Sequence, residues 1–371
     1  MRSFLAPFVM VLAFALLPGC KGSAGNQGDS VQLMLGYCVD QGNPRARVRW
    51  SADTGSTWQD VNQTFRPGST GGVGCGMDTT GATRVLGWND NQLIEIVTGL
   101  GATNWETIEG PNQMNANSPG VGVFEATSSP PAFQHLQGAQ WLVTSRTTSG
   151  MTGLWIYDSS TYRVLGTPKT PVLAENSGVD TRPQVARLYG GTNTTASPTP
   201  TVLVWGSGDR YYSAVTGSRI TPEQTPSDWR VATITTLGQP RSNVALTADR
   251  DWFYLAYVYR HINAPTSGTV DGTEENRVHV MRSADGLTWG HYGVYENVYD
   301  TAPKISAAAV GDGRVLVVGA SQQTAPRSFA VIISNAQNRV LDPHVVFGEA
   351  NGFPRAVIPG SAISLKAAKI P

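Results

Sequence analysis

The sequence predicts an all-β protein. Glycine and proline account for 41 and 23 of the 371 residues, and ten Trp and twelve Tyr supply side chains that favour strands. After residue 30, no long stretch places apolar residues at helical spacing. Short β-rich runs recur instead, separated by Gly, Asn, Asp, Ser and Pro. In chain order, the runs are Val31–Val39, Ala46–Ser51, Arg84–Trp88, Leu93–Val97, Trp141–Ser145, Gly153–Tyr157, Thr201–Trp205, Asp251–Tyr259, Arg277–Arg282, Arg314–Gly319 and Ser328–Ser334.

The charge balance narrows the class of partner. Lys and Arg together number 27, as do Asp and Glu, so the formal net charge is zero. A neutral chain lacks the broad basic surface that nucleic acids require, and no nucleic-acid partner is expected. Gly-x-Gly-x-x-Gly, Walker and Gly-x-Ser-x-Gly motifs are absent, and the five His show no ligand spacing. We therefore expect neither a cofactor nor a metal site.

The first thirty residues have the pattern of an export signal followed by a tether. A positive start precedes an apolar run, Phe4–Leu17, that is too short to cross a bilayer. The run ends in Leu17-Pro18-Gly19-Cys20, which resembles the bacterial lipobox, Leu-x-Gly-Cys. The resemblance implies a signal peptide over 1–19, a lipid anchor on Cys20 and a flexible tether over 20–30. Lys21, where an Asp would retain the protein at the inner membrane, implies the outer membrane. The alternative is a secreted protein in which Cys20 is coincidental.

Two further cysteines, Cys38 and Cys75, lie in strand-like stretches. In an oxidising compartment, an even pair of cysteines favours a disulfide. Two buried thiols are the alternative.

Two segments repeat one pattern of turn residues. Ser51–Trp58 (SADTGSTW) and Ser283–Trp289 (SADGLTW) each follow a strand-like run and differ by one residue in the turn. In this pattern, the Ser and Asp side chains can accept hydrogen bonds from backbone N–H groups of the turn, and the Gly takes a positive φ. The Trp begins the next strand and packs against a neighbouring sheet. The shared positions are Ser51, Asp53, Gly55, Thr57 and Trp58, and Ser283, Asp285, Gly286, Thr288 and Trp289.

These repeats resemble the Asp box, or bacterial neuraminidase repeat, of the sialidase-like superfamily. The resemblance implies a β-propeller in which each Asp box joins the third and fourth strands of a blade, on the face away from the ligand site. Six blades can be traced in a single domain, 31–371, and the segment Pro354–Leu365 is predicted to complete the first blade and close the ring. The traced blades are Val31–Gln63, Gly71–Glu109, Pro130–Gly166, Asp180–Ile234, Pro240–Asn297 and Thr301–Phe347.

A basic residue next to a proline recurs where four inner strands are predicted to begin. These residues are Arg182, Arg241, Lys304 and Arg355. In the traced blades, the four side chains converge near the axis and form a local anion site. The resemblance implies that the three arginines bind the carboxylate of an acidic sugar, as the arginines of sialidases do, with the lysine as a fourth cation. Each basic residue could instead cap a loop or pair with a nearby Asp.

The same resemblance implies a catalytic set. Sialidases use a tyrosine nucleophile assisted by a glutamate, and a separate aspartate as general acid/base. By their positions in the traced blades, the candidates are Tyr299, Glu125 and Asp78, with Tyr295, Glu175 and Asp180 in reserve. The Arg-Ile-Pro signature of the first sialidase arginine is absent, so the residues leave open whether the chain is an enzyme.

Two classes of function therefore remain open. The first is a cell-envelope protein of sialidase type that binds or hydrolyses an acidic carbohydrate. The second is a non-catalytic propeller that binds a glycan or a protein partner, or serves as a scaffold for envelope assembly. An aromatic group, Trp205, Tyr211 and Tyr212, could stack on a sugar or pack in the core, and the acidic run Asp271–Glu275 could bind a cation in a loop.

Overall fold

Antiparallel β-strands make up almost all of the regular structure that the described residues form, as the sequence predicts. The structure is a computed structural model, and it describes residues 31–39, 45–60, 73–78, 84–88, 94–98, 106–109, 131–146, 152–160, 163–166, 183–189, 198–262, 274–298, 303–320, 328–334 and 364–369. A single 3-10 turn, Pro226–Asp228, interrupts the strands in these ranges. None of the helical segments described there is long and apolar enough to cross a membrane.

In the described ranges, the strands form six sheets, which we number in chain order. Sheet 1 contains β1 (Val31–Val39), β2 (Arg45–Ser51), β3 (Gln59–Asp60) and β24 (Ser364–Lys369). Sheet 2 contains β4 (Val73–Met77), β5 (Arg84–Trp88), β6 (Ile94–Thr98) and β7 (Glu106–Glu109). Sheet 3 contains β8 (Ala132–Gln137), β9 (Gln140–Arg146), β10 (Thr152–Asp158) and β11 (Arg163–Gly166).

Sheet 4 contains β12 (Gln184–Arg187), β13 (Thr201–Ser207), β14 (Arg210–Thr216) and β15 (Arg230–Ile234). Sheet 5 contains β16 (Gln239–Pro240), β17 (Ala245–Ala248), β18 (Phe253–Ile262), β19 (Glu274–Ser283) and β20 (Gly290–Val298). Sheet 6 contains β21 (Lys304–Ala309), β22 (Arg314–Ala320) and β23 (Ser328–Ser334). Apart from β24, each sheet falls within one of the traced segments to within one residue at either end, because turn residues mark the ends of most strands.

Sheet 1 joins two distant parts of the chain. β24 pairs antiparallel with β1, with Leu365 opposite Leu35 and Lys369 opposite Val31. The predicted C-terminal strand, Pro354–Leu365, overlaps β24 at Ser364 and Leu365, and β24 continues beyond it to Lys369; residues 354–363 lie outside the described residues.

The innermost strands of the sheets run side by side. In chain order these inner strands are β4, β8, β12, β17, β21 and β24; each contacts the next, and β24 contacts β4. The side chain of Asn243, just before β17, donates to the Ile305 carbonyl at 2.9 Å and accepts from the Ile305 N–H at 2.8 Å. At the other end of these two strands, the Ala309 N–H donates to Thr247 Oγ1 at 3.0 Å. β17 and β21 are therefore parallel.

Apolar side chains fill the spaces between neighbouring sheets. Separate buried clusters join sheets 1 and 6, sheets 3 and 4, sheets 4 and 5, and sheets 5 and 6. Sheets 2 and 3 approach so closely that a Cβ at Gly76 would lie 2.9 Å from the ring of Trp141. Sheets packed face to face around adjoining inner strands form a propeller. The predicted all-β propeller class is confirmed.

The two repeated turns have the predicted geometry. Ser51 Oγ accepts from the Gly55 N–H at 2.8 Å, and Asp53 Oδ1 accepts from the Thr57 N–H at 2.8 Å. Their counterparts in the second turn are the Gly286 N–H to Ser283 Oγ at 2.8 Å and the Thr288 N–H to Asp285 Oδ1 at 2.7 Å. Gly55 and Gly286 have φ of 91° and 72°. Trp58 is buried against sheet 6, and Trp289 Nε1 reaches Ser213 Oγ of sheet 4 at 3.3 Å.

Candidate functional site

One face of sheet 5 carries polar side chains on three successive strands. Side chains alternate along a strand, so residues two apart lie on the same face and paired residues of neighbouring strands share it. The pairing of β18 with β19 sets Tyr257 opposite His279, Tyr259 opposite Arg277, and His261 opposite Glu275. Two side chains of β20 contact this row. The polar face of sheet 5 thus comprises Tyr257, Tyr259, His261, Glu275, Arg277, His279, His291 and Glu296.

Arg277 is the centre of the outer part of this face. Its Nη2 donates to Glu275 Oε2 and its Nη1 lies beside Glu296 Oε1, both at 3.0 Å, and its side chain also bonds the Tyr259 hydroxyl. The Arg277 side chain is 15% exposed, whereas that of Glu296 is 61% exposed. Burial lowers the pKa of Arg277, but Glu275 and Glu296 outweigh it and hold the pKa above its ordinary value. The cluster therefore presents a positively charged hydrogen-bond donor, Arg277, held between two negatively charged acceptors, Glu275 and Glu296.

A chain of hydrogen bonds leads inward from the surface of this face. The Leu237 N–H donates to Tyr257 Oη at 2.9 Å, Tyr257 Oη lies 2.7 Å from His279 Nδ1, and His279 Nε2 lies 2.8 Å from His291 Nδ1. Because the Tyr257 oxygen accepts the Leu237 N–H, we assign its own proton to the bond with His279. The His279 proton then lies on Nε2, donated to the exposed His291. Burial, with His291 nearby, lowers the pKa of His279 to about 3.

Sheet 4 and the segment before β16 cover the inner part of the polar face. The ring of Tyr211 meets that of Tyr257 edge-on at 5.4 Å, and the Tyr211 hydroxyl donates to the Ser242 carbonyl at 2.7 Å. A Cβ at Gly238 would lie 2.7 Å from Tyr259 Cδ2, so only glycine allows this segment to approach. Half-buried His261 and exposed His291 and Glu296 mark the open part.

The arrangement has the chemistry of a polar-ligand site. A guanidinium supplies donors, two carboxylates supply acceptors, and aromatic rings supply flat apolar edges. Ligands rich in hydroxyl groups need such mixed partners. In the part of the chain that is described, no three His, Cys, Asp or Glu side chains are grouped so as to hold a metal ion.

Two of the four predicted cations lie at the same end of adjacent inner strands. Lys304 begins β21, and Arg241 lies two residues before Asn243, whose side chain bonds Ile305. Both side chains are half-buried. Asp78, the predicted acid, follows the end of β4 and lines a cavity formed with the carboxyl ends of β12 and β17. The structure therefore groups Arg241 with Lys304 and does not bring Asp78 to them.

The remaining predicted site residues lie outside the described residues. They are Cys20, Tyr299, Glu125, Arg182 and Arg355, together with the reserve residues Glu175 and Asp180 and the predicted signal and tether segments. The reserve nucleophile Tyr295 packs, partly buried, against the core between sheets 5 and 6.

The predicted disulfide is not formed. Cys38 and Cys75 are buried thiols that are not joined to each other, which is the alternative that the sequence left open. The Cys75 side chain is hydrogen-bonded to Ser364 and to the backbone of Gly36, so its polar requirements are met without a crosslink. Burial raises the pKa of the Cys75 thiol to about 12.

The aromatic group and the acidic run that the sequence suggested as further sites have different surroundings in the structure. Trp205 stacks on Tyr212 at 5.6 Å within the core between sheets 3 and 4, and Tyr211 is fully buried, so this aromatic group packs in the core. The acidic run is not all loop: Glu274 and Glu275 belong to β19 and pair with Arg260 and Arg277. Residues 271–273 lie outside the described residues.

Sequence reasoning missed the polar face, although a signal for it exists. Tyr257-x-Tyr259-x-His261 and Glu275-x-Arg277-x-His279 alternate with the period of a strand. The predicted runs, Asp251–Tyr259 and Arg277–Arg282, were too short and excluded His261 and Glu275, which hid the pairing of the two patterns.

Comparison with known proteins gives a likeness of fold. No family model and no curated protein match this chain. A mutant of the Aleuria aurantia lectin in complex with Fucalpha1-6GlcNAc is 12% identical over 79% of this chain and 84% of that chain, with a TM-score of 0.51. AofleA from Arthrobotrys oligospora is 12% identical over 90% and 88% of the two chains, with a TM-score of 0.47.

Hydrazine synthase from Kuenenia stuttgartiensis is 10% identical over 77% of this chain and 73% of that chain, with a TM-score of 0.42. The Aleuria aurantia lectin is itself a six-bladed β-propeller. At such low identity, its likeness concerns the fold alone. This chain is an all-β propeller that resembles a carbohydrate-binding lectin in its fold.

Proposed function

We propose that this chain is a non-catalytic, glycan-binding six-bladed propeller. The blade count is supported by six sheets in the described ranges, and closure of the ring is supported by the pairing of β24 with β1 and the cyclic contacts of the inner strands. The polar face of sheet 5 carries the functional part of the proposal. Binding of a fucosylated disaccharide by a lectin of similar fold makes a glycan the natural ligand class to test.

The open part of the polar face suits a neutral sugar. Arg277 can donate to a ring or hydroxyl oxygen, while Glu275 and Glu296 can accept from hydroxyl groups. The ring of His261, edge-on to Tyr259 at 6.2 Å, offers an apolar surface to sugar C–H groups. Two carboxylates around one guanidinium give the outer cluster a net negative charge, which disfavours a sugar carboxylate at this place.

A glycan array probed with the full chain tests the proposal. We expect binding to neutral glycans, and a loss of at least about tenfold in affinity for Glu296→Gln, because a hydrogen bond to a charged group contributes about 1.5–3 kcal/mol. Glu274→Gln is the matched control: Glu274 is 56% exposed, pairs with Arg260 and lies on the opposite side of β19 from Glu275. Absence of neutral-glycan binding, or equal losses in both variants, would contradict the proposal.

The grouping of Arg241 with Lys304 favours a second candidate, an acidic carbohydrate bound at the amino-terminal ends of the inner strands. In this alternative Arg182, Arg355 and Tyr299 act as predicted, and the chain is a sialidase-type hydrolase. Sialylated glycans on the same array, with Arg241→Ala and Lys304→Ala, test the binding. A fluorogenic sialoside with Tyr299→Phe tests the chemistry. Turnover that is retained in Tyr299→Phe would rule out Tyr299 as the nucleophile. If the chain shows no binding of sialylated glycans and no turnover of the sialoside, this second candidate is ruled out.

We also propose that the chain is exported and anchored through a lipid on Cys20, in the outer membrane. The lipobox resemblance of Leu17–Cys20 supports this proposal. Cells fed a labelled fatty acid should label the chain, and Cys20→Ala should abolish the label. Labelling that survives this substitution would contradict the anchor.

A further inference from the structure

The two repeated turns give sheets 1 and 5 a common register. In sheet 1, Tyr37 of β1 pairs with Arg47 of β2, which precedes Ser51 of the turn by four residues. In sheet 5, Tyr257 of β18 pairs with His279 of β19, which precedes the first serine of its own turn by the same number. The two tyrosines are therefore equivalent, and Arg47 occupies the position that His279 has in sheet 5.

The outer strands extend this equivalence. Arg49 of β2 pairs with Asp60 of β3, just as Met281 of β19 pairs with His291 of β20. Residues two apart on a strand lie on the same face of a sheet, and paired residues of neighbouring strands share that face. The polar face of sheet 1 thus comprises Tyr37, Arg47, Arg49 and Asp60.

Each of the two polar faces packs against a neighbouring sheet. Tyr37 belongs to the buried cluster that joins sheets 1 and 6, and Tyr257 belongs to the cluster that joins sheets 4 and 5. Tyr37 is only 2% exposed, whereas Arg47 is exposed and Arg49 is half-buried. The polar face of sheet 1 is therefore closed at its tyrosine and open at its arginines.

A paired guanidinium forms the fixed part of this face. Arg49 Nε donates to Asp60 Oδ1 at 2.8 Å, and Arg49 Nη2 donates to Asp60 Oδ2 at 3.1 Å. The Arg49 side chain also bonds the Tyr37 hydroxyl. Burial raises the pKa of Tyr37, and the positive charges of Arg49 and Arg47 oppose that rise, so both cations act at the same hydroxyl.

The charge of this face is opposite to that of the outer cluster in sheet 5. Among the described side chains of the face, Arg47 and Arg49 carry two positive charges and Asp60 carries one negative charge. In sheet 5, two carboxylates flank a single arginine. Guanidinium groups bind oxyanions through parallel N–H···O bonds, and they stay protonated in proteins. The polar face of sheet 1 therefore suits an oxyanion.

We propose that the polar face of sheet 1 is a second saccharide site, which binds sugars that bear a carboxylate or a sulfate ester through the exposed Arg47 guanidinium. The choice of a saccharide rests on the proposed function, because this face is equivalent in position to the polar face of sheet 5. The two faces then separate ligands by charge: sheet 5 takes neutral sugars and sheet 1 takes acidic sugars.

Calorimetric titration of the full chain tests this proposal with three probes: a sulfated disaccharide, a carboxylated disaccharide and their uncharged parent. Arg47→Gln should lower the affinity for the two charged probes by at least about tenfold, because it removes a charge-assisted hydrogen bond. Asp60→Asn should raise that affinity, since it removes the carboxylate that competes for Arg49. Arg230→Gln is the matched control, because it removes an exposed arginine from β15 of sheet 4, and it should leave the affinity unchanged.

The outcomes separate this site from the other proposed sites. Charged probes that do not bind, or that bind Arg47→Gln as tightly as the wild type, would overturn the second site, whatever the result for neutral glycans. A loss of affinity in Arg241→Ala but not in Arg47→Gln would assign the charged probes to the ends of the inner strands and would overturn it too. Inorganic sulfate that binds as tightly as the sulfated disaccharide would show that the sugar adds nothing, which contradicts a saccharide site.

The proposed function of the polar face of sheet 5 stands or falls on a different result. Neutral glycans should bind Arg47→Gln and the wild type equally, and only Glu296→Gln should weaken them. Charged probes that bind through Arg47, without any binding of neutral glycans, would support the site on sheet 1 and contradict the site on sheet 5.

Discussion

Single residues show how two constraints combine at one position. Gly286 has φ of 72°, which its turn requires, and a Cβ there would also lie 2.4 Å from Val202 Cγ2 and 2.8 Å from Val215 Cγ2 of sheet 4. The sequence predicts the positive φ because the Gly follows Ser-Ala-Asp. It does not predict the second constraint, because the neighbour lies more than seventy residues away in the chain.

Gly286→Ala should destabilise the chain by about 2–4 kcal/mol, since it adds both backbone strain and overpacking. Gly290→Ala, at the other end of the same turn, should change the free energy of unfolding by less than about 1 kcal/mol, because its nearest atom is Arg282 O at 4.0 Å. Urea denaturation of both variants measures the difference. Equal changes in the free energy of unfolding would show that the turn accommodates a Cβ at residue 286 without strain, which would contradict the prediction.

At the scale of the element, the hydrogen-bonded chain across β18, β19 and β20 links a buried tyrosine to an exposed histidine. His279 has no exposed surface, and its ordinary pKa of 6.5 is lowered to about 3 by burial. Above pH 6.5, His279 is neutral in both the folded and the unfolded chain. Between pH 6.5 and 3, the unfolded chain binds one more proton at this residue than the folded chain does.

The free energy of unfolding should therefore fall as the pH falls below about 6.5, by up to about 1.4 kcal/mol per pH unit from His279. His279→Gln keeps an acceptor for Tyr257 and a donor for His291, and removes the titration. Its unfolding free energy should fall less steeply than that of the wild type between pH 6.5 and 4.5. The two slopes should agree between pH 7.5 and 8.5; equal slopes at acidic pH would refute the role of His279.

Elements differ in how well the sequence predicts them. Strands followed by Gly, Asn or Asp turns were predicted to within a few residues, because turn chemistry is local. The part of β24 beyond Leu365 was missed, because Lys-Ala-Ala-Lys has weak β propensity and becomes a strand only where β1 offers hydrogen-bond partners. Cys38 and Cys75 were predicted to pair, since the sequence cannot show that Ser364 and Gly36 already bond the Cys75 side chain. Contacts between distant segments decided the last two of these outcomes.

At the scale of the whole molecule, β24 connects several sheets. The Cys75 N–H donates to Ser364 Oγ at 2.9 Å, the Leu365 N–H donates to Ser306 Oγ at 2.9 Å, and the Tyr189 hydroxyl donates to the Ala367 carbonyl at 3.2 Å. These bonds reach sheets 2, 6 and 4. Without β24, they would be lost and β1 would become an open edge.

Deletion of residues 364–371 should therefore prevent formation of a stable monomer. We expect aggregates in size-exclusion chromatography and loss of the cooperative melting transition seen by circular dichroism. Deletion of residues 370–371 alone is the control and should leave both measurements unchanged. A monomeric 364–371 deletion with an unaltered melting temperature would contradict closure of the ring by β24.

The pairing of β1 with β24 also sets the order of assembly during synthesis. A ribosome adds residues 31–39 more than three hundred positions before 364–369, so the first sheet waits for its innermost strand until the other five have been made. Until then, the backbone N–H and C=O groups of β1 that later bond β24 stay unpaired, and they could pair with a strand of another incompletely synthesised copy. Such a late final step is compatible with the export proposed above, in which the chain stays unfolded until it has crossed the membrane.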